Sequence, residues 1–152
     1  MHKRTVGLLT VVVTGVALLA AVSIASGSPS ATKYTAKLTA GQEIPKPAGP
    51  PAGATGTFSA TLTGSKLAWT LTFSHLSGAA LAAHIHLGKK GVAGNVLVPL
   101  CPTAASASCK SPLKGTATLK ASQIKTLNAG GLYVNVHTKK NAGGEIRGQI
   151  GM

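Results

Sequence analysis

The sequence predicts an all-β domain: an antiparallel Greek-key β-sandwich or barrel with one short helical turn. Three observations predict it. Apolar and polar residues alternate over several short runs, the period of a strand with one buried face. Gly/Pro-rich turn signals separate those runs at short intervals. After an apolar leader, about 120 residues remain, enough for one domain with one core.

The leader opens with His2-Lys3-Arg4 and is apolar from Val6 to about Ala25, broken only by Thr, Ser and Gly. A basic start, an apolar stretch and the small residues of Ser23-Ile24-Ala25 predict a secretory signal peptide over residues 1–25. No Cys lies near the cut, so no lipid anchor is expected there. An uncleaved membrane anchor is the alternative, because the run approaches the ~20 residues that span a bilayer. A Ser/Pro/Ala/Thr tether is expected over 26–32 and the folded domain over 33–152.

Within the domain, Tyr34, Ala36 and Leu38 alternate with Thr35, Lys37 and Thr39, and Phe58, Ala60 and Leu62 alternate with Thr and Ser. Gly64-Ser65 signals a tight hairpin into Leu67, Trp69, Leu71 and Phe73, the strongest apolar face of the chain. Further strands are expected over Leu81–Leu87, Val96–Leu100 and Leu113–Leu119. The run Ser122–Asn128 predicts a helical turn, capped by Ser122 and stopped by Gly130. The last hairpin pairs Leu132–Thr138 with Glu145–Ile150. A turn centred near Asn141 sets His137 opposite Glu145, Asn135 opposite Arg147 and Tyr133 opposite Gln149. The Pro- and Gly-rich stretch Gly41–Gly56 is expected to be a long surface connection, suited to a Greek-key crossover.

Charge excludes some chemistry at once. Removing residues 1–25 takes away Lys3 and Arg4 and leaves 13 basic residues against two acids, Glu43 and Glu145. So basic a surface is drawn to anionic polymers. The lysines are scattered and aromatic residues are few, so the stacking platforms of single-strand nucleic-acid binders are missing. The chain has no Asp, which removes a Ser/His/Asp triad, and paired-carboxylate catalysis would need its only two acids to meet. Cys101 and Cys109 are the only cysteines, an even count that predicts a disulfide in an exported protein; paired thiol ligands are the alternative.

The histidines carry the sharpest chemical signal. In Ala83-His84-Ile85-His86 a strand puts His84 and His86 on one face and Ile85 on the other. In Tyr133–His137, Tyr133, Asn135 and His137 share a face, while Leu132, Val134 and Val136 point to the core. If the two strands adjoin, His84, His86 and His137 converge outside that core. Three imidazoles with an open position make a common copper or zinc site. Glu145, on the histidine side of the last hairpin, is the candidate to orient a ligand imidazole. The plainer alternatives are a histidine cluster bonded to loop backbone, a surface pairing of Glu145 with Arg147, and Glu43 bonded to loop amides or to Arg147. His75 is expected to be an exposed turn residue.

From Tyr34 onward the motifs resemble the chordin-type (CHRD) domain. Leu38-Thr-Ala-Gly-Gln-Glu43-Ile-Pro45 resembles its opening, Ala83-His84-Ile85-His86 its middle, and Tyr133-Val-Asn-Val-His137 with Gly144-Glu145-Ile-Arg147-Gly-Gln149-Ile150 its end. The resemblance implies a secreted β-rich module and no assigned chemistry. A more distant resemblance, to copper/zinc superoxide dismutase, rests on His84-Ile85-His86, on the strand ending at His137, and on the glycines of the last hairpin. It implies copper-type ligands at the same three histidines. The chain lacks that enzyme's metal-bridging histidine and zinc loop, and Glu145 stands where its substrate-guiding arginine would be. The resemblance therefore does not extend to dismutation. The functional expectation is an interaction or structural module at the cell envelope, secreted, meeting an anionic envelope polymer or another extracellular protein. A three-histidine copper or zinc protein is the alternative, and a copper redox enzyme a third.

Overall fold

The computed structural model describes residues 30–102 and 109–152. The signal peptide expected over 1–25, and the first four residues of the expected tether, lie outside the described residues. Strand β1 spans Ala31–Thr39 and pairs with β2, Thr55–Thr63, from Ala31 opposite Thr63 onward. Ladder pairing thus takes in Ala31 and Thr32, which composition alone assigned to the tether. The remaining strands are β3 (Lys66–Ser74), β4 (Ala80–Leu87), β5 (Val96–Cys101), β6 (Leu113–Thr118), β7 (Leu132–Thr138) and β8 (Ile146–Gln149), with helix α1 over Ala121–Asn128 between β6 and β7.

All eight strands form one antiparallel sheet in the order β5-β4-β7-β8-β1-β2-β3-β6. The two edge strands, β5 and β6, come near one another, so the sheet curls into an almost closed barrel. Its interior holds the alternating residues expected from the sequence: Tyr34 and Leu38 of β1, Phe58 and Leu62 of β2, Leu67, Trp69 and Leu71 of β3 are all buried. Gly64, at φ +59°, supplies the left-handed turn between Thr63 and Lys66 that lets β2 and β3 stay paired to their last residues.

Gly41–Gly56 is not a crossover. It links β1 and β2, which are neighbours paired along their whole length, so the long connection is a hairpin loop. The crossings fall instead at β3 to β4 and β6 to β7, while β5 leads to β6 across the seam of the barrel. Helix α1 also differs slightly from expectation. It starts one residue earlier, and the Lys120 N–H donates to Gln123 Oε1 at 2.7 Å, so Gln123 rather than Ser122 satisfies the free amide at its start. Gly130 ends it as expected, at φ +64° with its N–H bonded to Leu127 O.

The last hairpin has the expected register, with Asn135 opposite Arg147 and Tyr133 opposite Gln149. Glu145 sits in a bend just before β8, its N–H donating to Val136 O. The second face of β7 is not a solvent surface, however. Leu132, Val134 and Val136 are fully buried, and Tyr133 and Asn135 on the opposite face are buried too. Two loops cover that face. From the β1–β2 loop, the Ala48 N–H donates to Asn141 Oδ1 and Gly49 O accepts from Lys140 Nζ. From the β4–β5 loop, Lys89 O and Val92 O accept from Arg147, and the Gly94 N–H donates to the Tyr133 hydroxyl. The barrel therefore has an apolar interior and, outside β4–β7–β8, a second, polar layer under loops. Cys101 and Cys109 are joined as a disulfide, Cα atoms 5.4 Å apart, which ties the end of β5 to the approach to β6.

Candidate metal centre

Strands β4 and β7 are adjacent, with His84 opposite Asn135, His86 opposite Tyr133, and His137 opposite Ala82. Side-chain alternation then sets His84, His86 and His137 on one face, the polar one. One ring nitrogen from each lies within 4.8 Å of the other two. The closest pair is His84 Nδ1 and His137 Nε2, at 3.1 Å. His86 is buried, whereas His84 and His137 are half-buried and leave the cluster open to solvent on one side.

The tautomers follow from the partners. His86 Nδ1 lies 2.8 Å from Gly94 O, and His137 Nδ1 lies 3.0 Å from Ala142 O. A carbonyl only accepts, so both Nδ1 atoms carry the proton and both Nε2 atoms are bare acceptors. His137 Nε2 can then take only a donor, which makes His84 Nδ1 the donor of the 3.1 Å contact. His86 Nε2 is buried and has no hydrogen-bond partner among the described residues. Loop carbonyls thus fix the two imidazoles and leave their Nε2 atoms unprotonated, as outer partners do around metal-bound histidines.

Electrostatics keeps all three rings neutral. Burial, then the neighbouring His137 and His86, push the His84 pKa down to about 4. His86 and His137 are lowered as well, chiefly by burial, against the raising effect of their carbonyl partners. Neutral, crowded imidazoles are the form a metal needs.

Beyond the triad the polar layer continues as a stack. The His86 ring lies parallel to Tyr133, 9° between planes and 4.9 Å between centroids, and the Arg147 guanidinium sits 3.4 Å above the Tyr133 ring centroid. Glu145 plays a different part from the one expected of it: none of its hydrogen bonds goes to a histidine. Its carboxylate accepts from the Ser77 N–H and hydroxyl, from Thr138 Oγ1 and from Asn141 Nδ2. Burial alone would raise its pKa, but those hydrogen bonds outweigh it and hold the carboxyl below its ordinary range. Nor does Glu145 pair with Arg147, which donates to main-chain carbonyls. Glu43 accepts from the Ile44 N–H at 3.1 Å, the loop-amide bond anticipated for it. His75 is exposed in the β3–β4 turn, bonded to Ser74 Oγ. The groups that sequence reasoning missed are the carbonyls of Gly94 and Ala142. Their only trace in the sequence is the glycine-rich context of each loop.

A family model described as the CHRD domain matches residues 34–150. The chain belongs to the CHRD-domain family. In this CHRD domain the matched span includes β2 to β8 and all three clustered histidines. No curated protein and no solved structure matches the chain.

Proposed function

We propose that this CHRD domain holds one copper or zinc ion on His84, His86 and His137. The carrying observation is the pair of Nδ1–H···O=C bonds that pins His86 and His137 and frees their Nε2 atoms beside His84 Nδ1. Three nitrogens bonded to one ion at ~2.0–2.1 Å stand roughly 3.3–3.5 Å apart, a spacing that the 3.1 Å pair nearly has and that small ring rotations give the third. The open side of the cluster leaves room for a fourth ligand. The test is the metal content of the mature protein, purified without a histidine tag and titrated with each metal, beside a His84→Ala/His86→Ala/His137→Ala variant. One ion per chain, lost in the variant, is expected; no uptake of either metal at neutral pH by a folded protein defeats the reading.

A specific observation also favours a second role for the same module, as a secreted partner of anionic envelope polymers. Both acids of the chain are buried, Glu43 at 2% and Glu145 at 0% exposure. Every ionised side chain that the described surface shows to solvent is therefore a cation, including Lys89-Lys90 and Lys139-Lys140 just beyond the histidine strands. The Cys101–Cys109 disulfide suits an oxidising compartment outside the cytosol.

A further inference from the structure

Along their paired length, β1, β2, β3 and β6 turn only threonine, serine, alanine and lysine to the outside of the barrel. Threonine is an ordinary surface residue of strands and alone points to no ligand. The lysines say more. Lys33, Lys37, Lys66 and Lys114 lie far apart in the sequence, and the strand register gathers them on this one face. Each is exposed and stands opposite a threonine: Lys33 faces Thr61, Lys37 faces Thr57, Lys66 faces Thr63 and Lys114 faces Thr70. Opposite charges across a ladder would stabilise such a face, but both acids of the chain are buried elsewhere. Guarding a sheet edge does not explain Lys33 and Lys37 either, because β1 lies between β8 and β2.

A groove of about 670 Å³ crosses the four strands on this face. One side of it runs from Lys33 through Thr61 and Ala68 to Thr116. The other runs from Thr35 through Ser59 and Thr70 to Lys114. Lys33 and Lys114 therefore stand at diagonally opposite ends, roughly 15 Å apart at three strand spacings. Between them lie hydroxyls, threonine methyls and the methylene stems of the lysines.

We infer that this groove binds an acidic polysaccharide, a chain of uronic acid rings. Its carboxylates pair with Lys33 and Lys114, and its ring hydroxyls exchange hydrogen bonds with Thr35, Ser59 and Thr70. The C–H faces of the rings lie on the threonine methyls and lysine stems. A polyanion without hydroxyls uses the lysines alone. Single-stranded nucleic acid lacks its stacking partners here, because Tyr34, Phe58 and Trp69 turn into the barrel. The assignment rests on the polyanion role proposed above and gives that role a face and a ligand. It is independent of the metal reading, because the histidines stand on β4 and β7, on the far side of β8 from β1 in the sheet.

The test is calorimetric titration of the mature protein, dialysed free of metal, at physiological ionic strength. Four probes separate the contributions: oligogalacturonate, its neutral methyl ester, and polyphosphate and poly-L-glutamate matched to it in charge. Oligogalacturonate is expected to bind saturably and more tightly than the two other polyanions, and the methyl ester far more weakly. Lys33→Gln/Lys114→Gln, at exposed positions, should weaken oligogalacturonate by about tenfold or more. Ser59→Ala/Thr70→Val removes hydroxyls without changing charge; it should weaken oligogalacturonate severalfold and leave polyphosphate as it was. Binding should survive in the triple-histidine variant. Polyphosphate bound at low salt, with oligogalacturonate no tighter than polyphosphate, overturns this inference and leaves the broader polyanion role standing. Tighter binding of poly-L-glutamate assigns the face to an acidic polypeptide instead. Oligogalacturonate affinity unchanged in both folded groove variants, or lost with the histidines, also overturns it. No binding of any polyanion even at low salt removes the inference and the polyanion role together.

Discussion

His84 shows how crowding sets the chemistry of a single residue. Its pKa is held near 4, whereas the unfolded chain accepts that proton at about 6.5. Between those values the unfolded state binds more protons than the folded one, so stability falls as pH falls through the window and is unaffected above it. Glu145 acts in the same direction at lower pH, since its folded pKa is depressed. Glu43 acts oppositely: burial raises its pKa, so its protonation on acidification favours the folded chain. Denaturant unfolding of the metal-free domain at pH 7.5 and 5 should therefore show a loss at the lower pH that shrinks in His84→Gln; equal losses in both proteins would contradict the account. Metal retention follows the same displacement. An ordinary imidazole surrenders its metal as pH drops through about 6.5, but here the ligands resist protons, so release is expected only well below that value. Binding also requires His84 to shift its proton from Nδ1 to Nε2, because Nδ1 is the nitrogen beside His137 Nε2. Imidazole nitrogen shifts measured with and without zinc should show that exchange at His84 and none at His86 or His137, whose Nδ1 protons stay on Gly94 and Ala142 carbonyls.

At the scale of elements, Glu145 acts as a clamp. It joins Ser77 of the β3–β4 connection to Thr138 of β7 and Asn141 of the β7–β8 turn. The same turn carries Ala142, whose carbonyl orients His137. Glu145→Ala leaves the buried Asn141 amide and the half-buried Ser77 N–H without their acceptor, and should cost about 2 kcal/mol of stability. It should also weaken metal binding without touching a ligand; calorimetry and metal titration on one preparation read both effects. The strands themselves were legible in the sequence because their alternation is a local record of burial. Leu67, Trp69 and Leu71 declare the core face of β3, and Asn135 opposite Arg147 follows from turn position alone. The convergence of His84, His86 and His137 was legible for the same reason once β4 and β7 were taken as neighbours. The polar layer was not. Whether the β1–β2 loop crosses the barrel or folds back depends on pairing between Ala31–Thr39 and Thr55–Thr63, and whether it covers β7 depends on contacts such as Ala48 with Asn141. Main-chain carbonyls that orient imidazoles leave no residue type to find. Glu145 misled because its face was read from strand alternation, whereas it lies in a bend and its carboxylate goes to Ser77, Thr138 and Asn141.

Over the whole molecule, the burial of both acids sorts charge by location. Carboxylates serve inside, in the Glu145 clamp and at Glu43 on the Ile44 amide, and the surface is left to lysine. That division gives the two proposed roles different physical signatures. Lysines keep their charge well below neutral pH, whereas the metal depends on neutral imidazoles. A polyanion held by scattered exposed lysines gains mainly long-range attraction, which salt screens over a Debye length of about 8 Å at physiological ionic strength. Binding of the mature domain to a soluble polyanion such as polyphosphate should therefore weaken steeply between low and physiological salt and change little between pH 7.5 and 5.5. It should be equal in the wild type and the triple-histidine variant, because burial keeps His84, His86 and His137 neutral and they add nothing to the surface charge. Lys89→Gln/Lys90→Gln/Lys139→Gln/Lys140→Gln should weaken it severalfold while leaving metal stoichiometry at one per chain. Polyanion affinity that is indifferent to salt, or that disappears with the histidines, would remove the electrostatic surface as its cause.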